Sequence, residues 1–101
     1  MTDMKKAKLC AERLSGLAEP TRIRIVDCLA TGPKNVSELA KALKIEIVNA
    51  SHHLGVMRQA RLVDDEKQGR FVIYSLTDDF VAKKGGGVTL DLGWCKLDIG
   101  G

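Results

Sequence analysis

The sequence is short of the residue types that most often do chemistry. Its two histidines, His52 and His53, are adjacent, and its three cysteines, Cys10, Cys28 and Cys95, are widely spaced. An odd number of scattered thiols argues against a disulfide framework and fits a reducing compartment. No stretch approaches the ~18 apolar residues of a membrane span. The opening MTDMKKAKLC has no apolar signal-peptide core. The expected location is therefore the cytoplasm, with no membrane partner. No serine or cysteine has a plausible histidine base, because both histidines fall on one helical segment, so no enzyme is expected.

What remains is ordinary for a globular chain. The 101 residues are 45% hydrophobic and 29% charged, enough for one domain that buries roughly 65% of its unfolded surface. The net charge of +3 permits nucleic-acid binding without demonstrating it. Basic residues Lys5, Lys6, Lys8, Arg13, Arg22, Arg24 and Lys34 outnumber the acidic ones over residues 1–35, while Asp64–Glu66 and Asp78–Asp79 offset positive charge later. A dimer could gather the basic residues on one face.

Apolar spacing predicts a first helix of about fifteen residues whose narrow seam is Ala7, Cys10, Leu14 and Leu17. EPTRIRIVDCLAT predicts a second helix with Pro20 in its first turn and Ile25, Cys28 and Leu29 inward. Asn35 and Glu38 have capping-box spacing for a short third helix. A fourth runs from about Ile47 to Ala60. From Leu62 the period shifts from 3.6 to 2, predicting a hairpin that turns at Gly69. TDDFVA suggests one helical turn capped by Thr77, and KKGGG a flexible joint. VTLDLGWCKLDI alternates like two short strands broken at Gly93. The expected organisation is a domain over residues 1–84 and a joint with a β-like tail over 85–101.

The third and fourth helices, a short turn apart, have helix-turn-helix anatomy, in which the second helix enters the major groove. The hairpin would be a wing, with Lys67, Gln68 and Arg70 near its tip. At 100° per residue, Ala50, His53, Leu54, Met57 and Ala60 share one inward arc of the fourth helix. His52 points about 100° away, toward Val48, Gly55 and Gln59, with Ser51 beside it. Adjacent rings so arranged cannot close on one metal, which is why zinc motifs space histidines at i,i+4. His53 reads as a packing residue whose ring N–H meets backbone or water. His52 reads as a groove contact or a solvated surface residue.

These segments, LAEPTRIRIVDCLATGPKNVSELAKALKI, VNASHHLGVMRQARLV and GRFVIYSLT, resemble the ArsR/SmtB winged-helix repressors over roughly residues 10–78. The resemblance implies an α+β winged helix-turn-helix and a homodimer that releases operator DNA when an effector, often a metal or metalloid, binds. It places Val48, Asn49, Ser51 and His52 on the recognition helix, Ser37 near a phosphate, and Lys67, Gln68 and Arg70 on the wing; Gln59 lies on the same outward face as His52. The family's familiar metal sites are missing. The third helix has no cysteine pair, and no histidine follows His53. Glu46 stands where a hydroxyl cap usually opens the recognition helix, and Arg61 where glycine usually ends it.

Cys28 reads as a core residue. Cys10, beside Lys6 and Arg13, and Cys95, beside Trp94, are candidate sensor thiols or packing residues at a dimer seam. The dimer interface is expected from Ala7, Cys10, Leu14 and Leu17 together with Leu90 and Leu92 of the tail. Three functions stay open. They are an operator-binding repressor that answers a metal, metalloid or thiol-redox signal, the same regulator without a direct effector, and a winged helix used for protein–protein contact.

Overall fold

The computed structural model describes residues 3–93 and 95–101. Asp3 opens helix α1 (Met4–Leu17), its carboxylate accepting from the Lys5 and Lys6 amides. Helix α2 (Pro20–Leu29) begins with proline at the position where a missing N–H costs nothing. Its cap is Glu19, which accepts from the Thr21 and Arg22 amides at 3.1 and 3.2 Å. At the other end, the Lys34 ammonium bonds the Cys28 and Gly32 carbonyls, each at 3.2 Å, and so complements the negative end of the helix.

Strand β1 (Lys34–Asn35) leads directly into helix α3 (Val36–Leu43). The expected capping box is present: Asn35 accepts from the Glu38 amide at 2.8 Å, and Glu38 accepts from the Asn35 amide at 2.9 Å. Lys44 ends the helix in the left-handed region, φ 56°. Two residues later helix α4 (Ile47–Gln59) starts.

Strands β2 (Val63–Gln68) and β3 (Phe71–Leu76) form the expected hairpin, Gln68 opposite Phe71, with Gly69 at φ 63° in the turn. β1 pairs with β3 through Lys34–Tyr74 and Asn35–Ile73. Two residues are too few to show a period of 2, so this strand was not expected.

The next segment corrects the expectation. Thr77 caps no helix; Phe80 donates to its carbonyl at 3.1 Å, and Phe80–Ala82 is strand β4. It pairs with β5 (Val88–Asp91), which pairs with β6 (Lys96–Ile99). The tail thus finds its partner inside its own chain. An adjacent strand satisfies more backbone groups than one isolated helical turn could. The expected break at residues 84–85 also falls inside this sheet: Lys83–Gly87 is the turn between β4 and β5, closed by Lys83 N–H to Gly87 carbonyl at 3.0 Å. The two strands either side of Gly93 match the alternation. Trp94, expected beside Cys95, lies outside the described residues.

One core joins these parts. Ile25, Leu39, Leu54, Met57, Leu62 and Leu90 are fully buried, each side chain contributing about 1.5–3 kcal/mol. Val88, Leu90 and Ile99 of the second sheet, with Leu92 just after β5, share that core with Cys10, Leu17 and Ile25. Leu90 and Leu92 are therefore covered within the protomer, and so are Cys10 and Leu17, which removes them from the expected dimer interface. The inner face of α1 is Cys10, Arg13, Gly16 and Leu17, while Leu14 is 43% exposed. The helix is rotated because Arg13 is held inward, its guanidinium donating to the Asp91 carbonyl at 3.0 Å and pairing with the Asp79 carboxylate.

Candidate nucleic-acid interface

The surface expected to meet DNA is the outward side of α4. Ala50, Leu54 and Met57 are buried, with His53 and Ala60 half-buried, as the helical period requires. Val48, Asn49, Ser51, His52 and Gln59 are all exposed, Val48 at 76%. Ser51, His52, Gly55, Val56 and Gln59 line a shallow depression. Gly55 leaves open space above the backbone, with no atom within 4 Å of where a Cβ would sit. A polar ridge with a low point suits close approach of a groove wall.

The ends of α4 carry both departures noted in the sequence. Glu46 is extended and makes no side-chain cap bond. Arg61 follows the C-cap at φ 61°, a conformation that costs a side-chain-bearing residue roughly 1 kcal/mol. Its carbonyl accepts from the Thr77 hydroxyl at 3.2 Å, tying the end of α4 to the far end of the hairpin.

Ser37 is exposed in the first turn of α3. Lys67, Gln68 and Arg70 are exposed around the wing turn, and the Arg70 guanidinium sits over the Phe71 ring at 5.2 Å. Such stacking holds the cation in place without neutralising it. Asp64, Asp65 and Glu66 lie further back on β2, where Asp65 takes Arg58 at 2.8 Å. The wing is thus cationic at its turn and acidic toward its base.

The two histidines separate as the helical angles predict. Their ring centres are 5.6 Å apart and tilted by 59°. His53 is half-buried, and its Nδ1 faces two side chains. Nδ1 lies 3.4 Å from Glu19 and 3.5 Å from the Arg22 guanidinium. With Nδ1 unprotonated the ring can accept from the Arg22 guanidinium, while the Glu19 carboxylate lies within ion-pair distance. Glu19, the α2 cap, is held below the usual carboxylate range, first by its backbone hydrogen bond from Thr21. Sequence reasoning missed Glu19 and Arg22 here because the contact spans 31 residues or more and no local pattern marks it.

It equally could not bring Cys10 and Cys95 together. The structure does: their sulfurs are 3.7 Å apart, Cys10 buried and Cys95 exposed. Hydrogen bonding with Cys10 pushes the Cys95 thiol up, and desolvation and the Asp91 carboxylate act in the same direction. Cys28 is half-buried against the core. Among the described residues no three His, Cys, Asp or Glu side chains are grouped to hold a metal ion, and no helix is long and apolar enough to cross a membrane.

This arrangement has counterparts. The family model for bacterial regulatory proteins of the arsR family matches residues 19–65, from the α2 cap to the wing. The chain is 40% identical over 81 residues to the HTH-type transcriptional regulator NmtR of Mycobacterium tuberculosis, covering 80% of this chain and 68% of that protein. It is 40% identical over 78 residues to a transcriptional repressor SmtB homolog of Synechocystis, covering 77% of this chain and 59% of that protein. Among solved structures, HlyU of Vibrio cholerae superposes with a TM-score of 0.71 at 26% identity, over 75% of this chain and 83% of that one. A homodimeric winged helix-turn-helix DNA-binding domain from Mycobacterium bovis gives 0.69 at 28%, over 75% and 72%.

Proposed function

The chain belongs to the ArsR family of bacterial regulatory proteins, and from that premise we propose that it binds operator DNA as a homodimeric transcriptional repressor. The observation that carries this reading is the outward face of α4, where Asn49, Ser51, His52 and Gln59 stand exposed around the open Gly55. Ser51 and His52 read base edges, and Val48 offers apolar contact to a thymine methyl. Ser37, Lys67, Gln68 and Arg70 meet the backbone and set register.

The dimer uses the outer stripe of α1. Met4, Ala7, Ala11 and Leu14 recur at spacings of three and four on its outer side, with Met4 75% and Leu14 43% exposed. That is the seam pattern two helices use to pack together. Ala7 and Leu14 belong to this stripe, and the homodimeric state of the Mycobacterium bovis neighbour supports a dimer. A two-fold dimer reads two half-sites about 34 Å apart, or a multiple of that, on a pseudo-palindrome.

The test is selection from a randomised duplex pool, followed by anisotropy titrations of the enriched sequence at several salt concentrations. His52→Ala should relax base preference by about 1–3 kcal/mol. Arg70→Ala should weaken all sequences alike and lower the salt slope by about 1 per protomer. Failure to enrich any sequence, or affinity indifferent to salt, rejects DNA binding. A monomeric mass at micromolar concentration rejects the dimer.

A further inference from the structure

The Cys10–Cys95 contact is not used by the DNA-binding face. Its two sulfurs come from residues 85 apart in sequence, meet at 3.7 Å, and differ sharply in exposure. Cys10 lies on the inner face of α1. Cys95 lies in the turn between β5 and β6, where Gly93 takes φ 94° and the Cys95 carbonyl accepts from the Leu92 amide at 2.8 Å. We propose that Cys10 and Cys95 form a reversible dithiol–disulfide pair, oxidised by exchange with a low-molecular-weight disulfide such as oxidised glutathione.

Exposure assigns the two thiols their order. The Cys95 thiolate attacks one sulfur of the small disulfide, forming a mixed disulfide and releasing one thiolate. Cys10, the buried member of the pair, then attacks the Cys95 sulfur as a thiolate. The new Cys10–Cys95 bond forms as the mixed disulfide breaks, and the second small thiolate leaves. In sum, two protein thiols lose two electrons and two protons, and one small disulfide becomes two small thiols. Cys10 is already in contact with its target, so the second step outruns attack by free thiol. Cys28 is left out, having no sulfur partner among the described residues. Because hydrogen bonding to Cys10 pushes the Cys95 thiol up, exchange accelerates as pH rises.

The bond would be a second tie between α1 and the last sheet, beside the Arg13 contacts with Asp79 and Asp91. The same helix faces the end of α4, since a Cβ on Gly16 would lie 2.6 Å from that of Ala60. Oxidation therefore acts on an element that abuts the proposed recognition helix.

The experiment reads the chemistry without DNA, so it stands apart from the test of the proposed function. The full-length reduced protein is equilibrated in buffers of oxidised and reduced glutathione, quenched with acid, alkylated after unfolding and mapped by mass spectrometry. The expected product is a monomeric chain lighter by two hydrogens, with Cys10 joined to Cys95 and Cys28 alkylated. Cys28→Ser should behave as wild type. Cys10→Ser should stop at a single glutathione adduct on Cys95, and Cys95→Ser, an exposed and structurally mild change, should lose the reaction. A stable glutathione adduct on wild-type Cys95, or a main product containing Cys28 or joining two chains, overturns the proposal.

Discussion

Two glycines on two helices make a controlled comparison, because the same substitution should have opposite effects at them. Gly55 lies inside α4 with no atom within 4 Å of an added Cβ. Gly55→Ala should therefore show the helix-propensity gain of about 0.8–1 kcal/mol. Gly16 lies one residue from the end of α1, where that gain is smaller, and an added Cβ would meet the Ala60 Cβ at 2.6 Å and a Leu62 methyl at 3.0 Å. The Ala60 carbon is fixed to the backbone and cannot turn aside, and Leu62 is fully buried. Overpacking of this kind costs about 1–3 kcal/mol, leaving a net loss of about 0.5–2.5 kcal/mol once a gain of about half the interior value is set against it. For a domain of this size each kcal/mol moves Tm by about 4–8 °C. Thermal unfolding followed by circular dichroism should thus show Gly55→Ala melting about 4–8 °C above wild type and Gly16→Ala melting below wild type. The Gly55→Ala protein should also bind DNA more weakly, for every sequence alike, since its methyl group stands where the groove wall approaches. If both variants gain stability equally, the close packing of α1 on the end of α4 is wrong.

Three further expectations follow from single residues. Glu46→Asp keeps the charge at the start of α4 but shortens the side chain to cap length, so chemical denaturation should show a gain of about 0.5–1 kcal/mol, against no gain if the first turn is already satisfied. Asp79→Asn removes the carboxylate facing Arg13; because Asp79 is 46% exposed, the loss should be about 1–2 kcal/mol rather than the 3–5 of a fully buried pair, with hydrogen exchange rising first in β4 and β5. Glu19 has its folded pKa depressed below the ordinary 4.5, so its stabilising effect is present above that value and is lost as pH falls through the lower, folded value. Acid titration of stability should accordingly flatten in Glu19→Gln, and an unchanged acid limb would count against the Glu19 cap.

The helix-turn-helix and the wing were legible because their signals are local. Ala50, Leu54 and Met57 declare the inner face of α4 by period alone, Asn35 and Glu38 announce a helix start, and Gly69 marks a turn between alternating strands. The resemblance to a known family rests on the same residues. What escaped is non-local. Arg13 looks like one more surface cation until a carbonyl and a carboxylate from the second sheet come to meet it. Spacing runs the apolar seam of α1 through Leu14 because it counts only apolar side chains, so an inward arginine rotates the helix away from its apparent axis. Phe80–Ala82 reads locally as a helical turn because its partner strand lies beyond three glycines. The site separates in the same way: the exposure of His52 follows from its angle, whereas the meeting of His53 with Glu19, and of Cys10 with Cys95, depends on how whole elements pack.

The inward arginine of α1 also has a consequence in time. A chain is made from its N-terminus at about 5–20 residues per second, and the partners of Arg13 come 66 and 78 residues later. For something like 4–16 s of synthesis, then, α1 has a charged residue on the face that will later be buried. Water keeps that residue solvated, so the half-made helix gains little by burying that face on another nascent chain. Only when Asp79 and the Asp91 carbonyl emerge does burial become favourable. The last sheet thereby licenses the first helix to dock, and a chain truncated before β5 should leave α1 undocked on an otherwise formed helix-turn-helix.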